Sequence, residues 1–295
     1  MKANLLCLSS MLVWAMGLPA ANYLIGPVPP LPLTAARMAL AAAVLLPLWW
    51  VIEGRRALTA APWGRGIAIG WLMLGMAGVL LVIAQSRTDA VTVAVISASM
   101  PVLGIALECV LDGRRLTGRL VAGLVLSLTG GLLAYAEAMG SFRLGLGAAA
   151  AFGSILCYTL GSRLTITVLP GLTPLGRTTL TLAGAAIACI GVALVGHLAD
   201  LPGVQWQALG PREALALAVF AILGLSLTQL LWIASVGHLG IGQASLHMNA
   251  APFYVMIFLW LLGADWNWTQ ALGAAIVGAG VLIAQSAPRA QSQPV

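Results

Sequence analysis

Uninterrupted apolar runs of about twenty residues recur along nearly the whole chain, and they decide what it can fold into. A run of that length crosses the hydrocarbon of a bilayer as an α-helix. A spanning β-strand needs only about ten residues and alternates apolar with polar side chains. The runs here do not alternate. Only 7% of the residues are charged, against roughly 25% in a soluble domain, too few to build a water-facing surface. Lipid offers the backbone no hydrogen-bond partners, so helices must satisfy themselves. The expected fold is therefore an all-α polytopic membrane protein. Ten transmembrane helices are expected near 4–25, 31–51, 66–85, 90–111, 118–136, 145–167, 176–198, 213–234, 241–263 and 269–286.

The net charge of +6 does not point to nucleic acid, because the basic residues form no stripe or run. They sit between apolar runs, where positive charge sets orientation. Arg55, Arg56 and Arg65 follow the second run, and Arg114, Arg115 and Arg119 follow the fourth. With these and Lys2 on the cytoplasmic side, Arg163 and Arg289 join them, and the opposite loops keep only Arg87, Arg143 and Arg212. This imbalance predicts an inner-membrane protein with both termini in the cytoplasm. Cys7, Cys109, Cys157 and Cys189 lie far apart in apolar stretches and form no CxxC pair, so no metal or redox cofactor is expected.

The chain also repeats itself. Ser10, Trp14 and Gly17 match Ser154, Tyr158 and Gly161 in spacing. Leu33-Thr34 before Arg37 matches Leu172-Thr173 before Arg177. Gly75 to Ser86 matches Gly224 to Ser235, Pro101 matches Pro252, and Gly123 with Gly130 matches Gly273 with Gly280. The matches occur in one order at offsets of 139 to 151 residues, which argues for a duplicated unit. The units are expected over 1–138 and 144–287, with 288–295 a short cytoplasmic tail. Residues 2–21 imitate a signal peptide, but as the counterpart of an internal span they are expected to be retained. Each unit has an odd number of spans, so the second must insert upside down. Inverted repeats place a site between the halves that can face either side.

With these residues in view, the chain resembles EamA-type proteins of the drug/metabolite transporter superfamily. The resemblance rests on the Trp14 region, Arg37 after Leu33-Thr34, Ala94 through Pro101 to Asp112-Gly113-Arg114-Arg115-Leu116-Thr117, the Gly123 to Gly131 helix, and their counterparts in the second unit. It implies a ten-helix fold of inverted five-helix repeats and export of metabolites, amino acids or toxic compounds. Where the family usually carries Gly-Glu, this chain has Leu111-Asp112 and Ala264-Asp265. Aspartate keeps the charge and shortens its reach.

Polar groups inside the apolar runs are the candidate site. Gln243 and His247 share a helical face with Tyr254, and such a stripe must face protein or a water-filled cavity. Asn249 lies near it, rotated away. Trp14 and Tyr158, with Ser10 and Ser154 beside them, offer rings with polar edges suited to an amphipathic metabolite. Gln229 has only Leu80 as its counterpart, an asymmetry that favours substrate contact. Each of these groups could instead serve only as packing between helices. Pro101 and Pro252 interrupt their helices at matched positions and are candidate hinges. Glu108, near the cytoplasmic end of its span, is a candidate for proton coupling or an interfacial residue. Arg37, about a turn and a half into the second span, could close a gate, attract an anionic group or reach its own interface. The expected activity is secondary transport of a small molecule. The rival is a membrane-embedded enzyme or sensor, for which no HExxH, Walker A or GxSxG motif is found. The partners expected are the substrate and the bilayer, with the protein monomeric or a homodimer. Gly123, Ser127 and Gly131 could scaffold the monomer or mediate that dimer.

Overall fold

The computed structural model describes residues 2–88, 90–133, 145–261, 263 and 265–286. The tail 288–295, Arg143, Arg289 and the end of the fifth expected span beyond 133 lie outside the described residues. Among the described residues there is no strand. The first half of the chain runs through α1 (Lys2–Asn22), α2 (Pro30–Thr59), α3 (Trp63–Ile69), a π-helical stretch Gly70–Gly75, α4 (Met76–Arg87), α5 (Ala90–Ala98), α6 (Met100–Asp112) and α7 (Gly118–Leu133). The second half runs through α8 (Leu146–Val168), α9 (Pro174–Leu198) and α10 (Pro211–Ala218). A π-helical stretch Val219–Leu227 leads into α11 (Thr228–Leu239). Next come α12 (Ile241–Leu246), a 3-10 turn His247–Ala250, α13 (Ala251–Leu261) and α14 (Trp268–Gln285). Among the described residues, seven continuous helical stretches are long and apolar enough to cross a membrane. Val51, Val110 and Leu198 are about four-fifths exposed, and so many bare apolar side chains have a stable environment only in lipid. The chain is a multi-pass membrane protein.

Three departures from the expected spans have local causes. The second helix continues to Thr59 because the chain turns at Gly54, whose φ of 80° suits glycine, and then resumes helix. The stretch 90–112 breaks at Ser99, and Pro101 sits in the first turn of α6, where its missing N–H costs nothing. Pro252 occupies the same place in α13, and the residues before it form the 3-10 turn instead of continuing α12.

Close packing joins the two halves. A side chain at Gly123 would collide with the Gly280 carbonyl and Ala284, and one at Gly130 with the Gly273 carbonyl and Val277. The helices α7 and α14 therefore lie backbone to backbone and antiparallel. The small-residue face considered for dimerisation is consumed inside the chain. The same device seats Gly17 of α1 against Gly224, where an added Cβ would lie 2.8 Å from the Gly224 Cα. The indole of Trp49, fully buried in α2, fills the space that the absent side chain of Gly176 in α9 leaves.

Candidate functional site

The two π-helical stretches begin at Gly70 and Val219, 149 residues apart, the same offset that separates Gly75 from Gly224. A π-helical turn bonds its backbone over five residues and leaves carbonyls open to other donors. In the second stretch the Ser226 hydroxyl donates to Ala221 O at 3.1 Å, and the Thr228 hydroxyl donates to Leu223 O at 3.1 Å. Arg37 of α2 completes the set. Its Nε donates to Phe220 O at 3.2 Å and its Nη2 to Gly224 O at 2.5 Å. The guanidinium lies 3.8 Å from the centre of the Phe220 ring, a cation–π contact.

Beside this junction is a cavity of about 460 Å³ walled by both halves of the chain. That size accommodates a small metabolite. Trp14, Arg37, Ser97 and Gly131 line it from the first half, and Ser154, Tyr158, Gln229, Asn249 and Pro252 from the second. Met11, Met38, Met100 and Met248 supply much of its apolar surface. Methionine is flexible and polarizable, so such walls adapt to differently shaped apolar bodies. The Tyr158 hydroxyl donates to Gln229 Oε1 at 3.0 Å, and its ring stacks on Trp232, centres 6.1 Å apart. Trp232 is itself fixed by a 3.0 Å bond from Nε1 to the Ser162 hydroxyl. Tyr158 is thus held from two sides. Gln229 Nε2 is buried and has no hydrogen-bond partner.

The other expected site residues are placed differently. Ser10 is fully buried below Trp14 and donates to Thr228 O at 3.0 Å, off the cavity wall. Ser154 lines the cavity, but its hydroxyl is committed to Ala77 O at 2.7 Å. These matched serines both tie the halves together. Gln243 and His247 are buried away from the cavity, and His247 Nδ1 lies 3.2 Å from Gln243 O. Gln243, His247 and Tyr254 all lie off the cavity wall, which this segment reaches through Met248, Asn249, Ala251 and Pro252 instead. Asn249 spends its amide on Ser127, donating to its backbone O at 3.0 Å and its hydroxyl at 3.2 Å. Pro101 is buried beside the wall and does not line it. Sequence reasoning missed the four methionines and Ser97, which carry no spacing signal.

Glu108 does not reach out from the protein surface. It is 7% exposed, pairs with Arg114, and accepts the Gly242 N–H at 2.8 Å. Arg163 donates from Nε and Nη2, one edge of its guanidinium, to both carboxylate oxygens of Asp112. At the same end of the bundle Asn4 and Gln285 exchange two bonds, at 2.6 and 2.8 Å, and Arg119 Nη1 donates to Ser286 O at 2.9 Å. Apart from the Glu108–Arg114 pair, each of these bonds joins the first half of the chain to the second. The cavity is therefore shut at the Asn4 end by a layer of polar ties. Away from that end it reaches Gln85, which is exposed.

Known proteins share this organisation. The chain is 27% identical over 282 residues to "Uncharacterized transporter YyaM" of Bacillus subtilis (strain 168), covering 91% of this chain and 88% of that protein. A solved structure described as "Crystal structure of protein" superposes with a TM-score of 0.78 over 96% of both chains, at 21% identity, a likeness of fold. The model of the EamA-like transporter family matches twice, over residues 1–136 and 145–285. With both halves of the cavity wall falling inside those matches, the chain belongs to the EamA-like transporter family.

Proposed function

We propose that the protein is a secondary transporter of the drug/metabolite type that moves a small metabolite or toxic compound out of the cell by alternating access. One observation carries this reading: a cavity of about 460 Å³ lies between the halves and is tied shut at one end by bonds between them. Breaking that layer while closing the opposite end would turn the cavity from one compartment to the other. The halves are five-span inverted repeats, ten spans in all. In support, α7 and α14 pack antiparallel through glycines matched in the repeat, and the π-helical stretches and proline breaks recur at matched positions. The tied end, and both termini, are read as cytoplasmic in an inner-membrane protein, a reading supported by the cluster of Arg114, Arg119 and Arg163 at that end. The cavity then faces outward.

The test is flux. Cells overexpressing the protein are challenged with amino acids, their analogues and toxic organic compounds, and the protected class is then assayed in liposomes. Saturable flux that exceeds protein-free liposomes is expected. Chemical conversion of the compound without movement would favour a membrane-embedded enzyme, and flux that never saturates would favour a passive channel.

A further inference from the structure

Arg37 is a cation inside the membrane-spanning part of the bundle, and among the described residues no carboxylate pairs with it. Its two hydrogen bonds go to backbone carbonyls, which are neutral. Among the described residues, no aspartate or glutamate lines the cavity. A buried charge left without a counter-charge is costly, and a second charge of opposite sign offsets that cost. The repeat counterpart, Arg177, is placed otherwise: it donates to Leu169 O at 2.8 Å and Pro170 O at 2.9 Å, at the start of α9 and off the cavity. Only one half of the duplicated unit therefore brings its arginine to the cavity.

A second, independent group makes the same demand. Gln229 is 3% exposed, its Oε1 is occupied by the Tyr158 hydroxyl, and its Nε2 donor has no partner. Its counterpart in the first half is Leu80, so this donor too exists once. Among the described residues, the groups on offer are thus the Arg37 guanidinium at the cavity wall and the Gln229 amide N–H just behind it, both donors. A carboxylate offers acceptors only. Methionines and the Trp14 ring surround these donors with apolar surface.

We propose that the cavity selects small amphipathic carboxylates, the carboxylate taken by Arg37 and, once its side chain turns to the wall, by Gln229 Nε2, and the apolar body by the methionines and Trp14. This names the substrate class for the transporter read above, although the binding preference itself holds whether or not the ligand is carried. The test uses phenylacetate, phenylacetamide and phenethylammonium, which share a body and differ in charge. Binding to the purified protein is measured by calorimetry. Phenylacetate is expected to bind at least about tenfold tighter than the amide, the ratio for one charge-assisted bond. Gln229→Leu, which installs the residue of the other half, should lower that ratio severalfold. Arg37→Lys keeps the charge without the planar fork and should lower it as well. If Arg37→Lys fails to fold, the wild-type ratio and the Gln229→Leu variant decide. Equal or tighter binding of the amide or the ammonium overturns the assignment, as does the absence of phenylacetate binding. Phenylacetate that binds selectively but never crosses liposomes would leave the site standing and remove the transporter reading. Saturable ammonium flux without carboxylate preference would do the reverse.

Discussion

Glu108 and Arg37 are both charged groups in apolar helices, and their surroundings give them opposite tasks. Glu108 is satisfied: Arg114 neutralises it and the Gly242 N–H occupies an oxygen. Removing its charge is therefore expected to loosen the tied end without touching the cavity. Glu108→Gln retains an acceptor for Gly242 but loses the ion pair, a change of about 1–2 kcal/mol for a partly exposed pair. A cysteine at Ser245, fully buried close to this tie, should then react with a maleimide about tenfold faster in a cysteine-free background. Unchanged labelling would show that the pair does not hold this end closed. Individual residues were legible in sequence where chemistry alone decides. Trp14, Tyr158 and Gln229 are the polar-edged groups in their runs, and all three line the cavity. His247 lies off the cavity together with Gln243, because spacing says which residues share a helical face and not which face meets the cavity. The orientation of Arg37 was equally hidden, since its partners are carbonyls 183 and 187 residues away.

At the level of elements, glycine sets how near the helices come. Gly123 and Gly130 of α7 and Gly273 and Gly280 of α14 let two backbones touch, and no side chain can be accommodated there. Gly123→Leu is expected to abolish folded protein, because the collision is with backbone that cannot move aside. Gly278→Leu, on the partner helix α14 but with open space around it, should be tolerated. Size-exclusion profiles in detergent distinguish the outcomes, and a folded Gly123→Leu protein would refute the seam. The glycine spacing and the proline breaks were readable because each residue type has a fixed consequence for the backbone. The π-helical stretches were not. Apart from hydroxyls such as Ser226 and Thr228, which also occur in ordinary helices, nothing in the residues of 219–227 announces a five-residue bonding pattern. In the second stretch Arg37 and those hydroxyls donate to the carbonyls that the pattern frees.

Across the whole molecule, each half of the chain completes the other. α1 packs on α11 and the preceding π-helical stretch, α4 on α8, α2 on α9, α6 on α12 and α7 on α14, so every one of these pairs crosses between the halves. Neither half encloses the cavity alone. Duplication was visible in the sequence because matched residues recur in order, whereas the partner of each helix was not, because inter-half contacts leave no periodic mark. The central claim is that the halves part at the Asn4 end during each cycle. Asn4 and Gln285 exchange two hydrogen bonds there, so cysteines replacing them in a cysteine-free background can be oxidised to a disulfide that staples that end. The decisive measurement is substrate flux in liposomes before oxidation, after it, and after reduction. Flux should stop when the bond forms and return when it is reduced, while a cysteine at Ser97 in the cavity wall stays open to labelling from the untied end. Undiminished flux through a fully cross-linked protein would contradict the account.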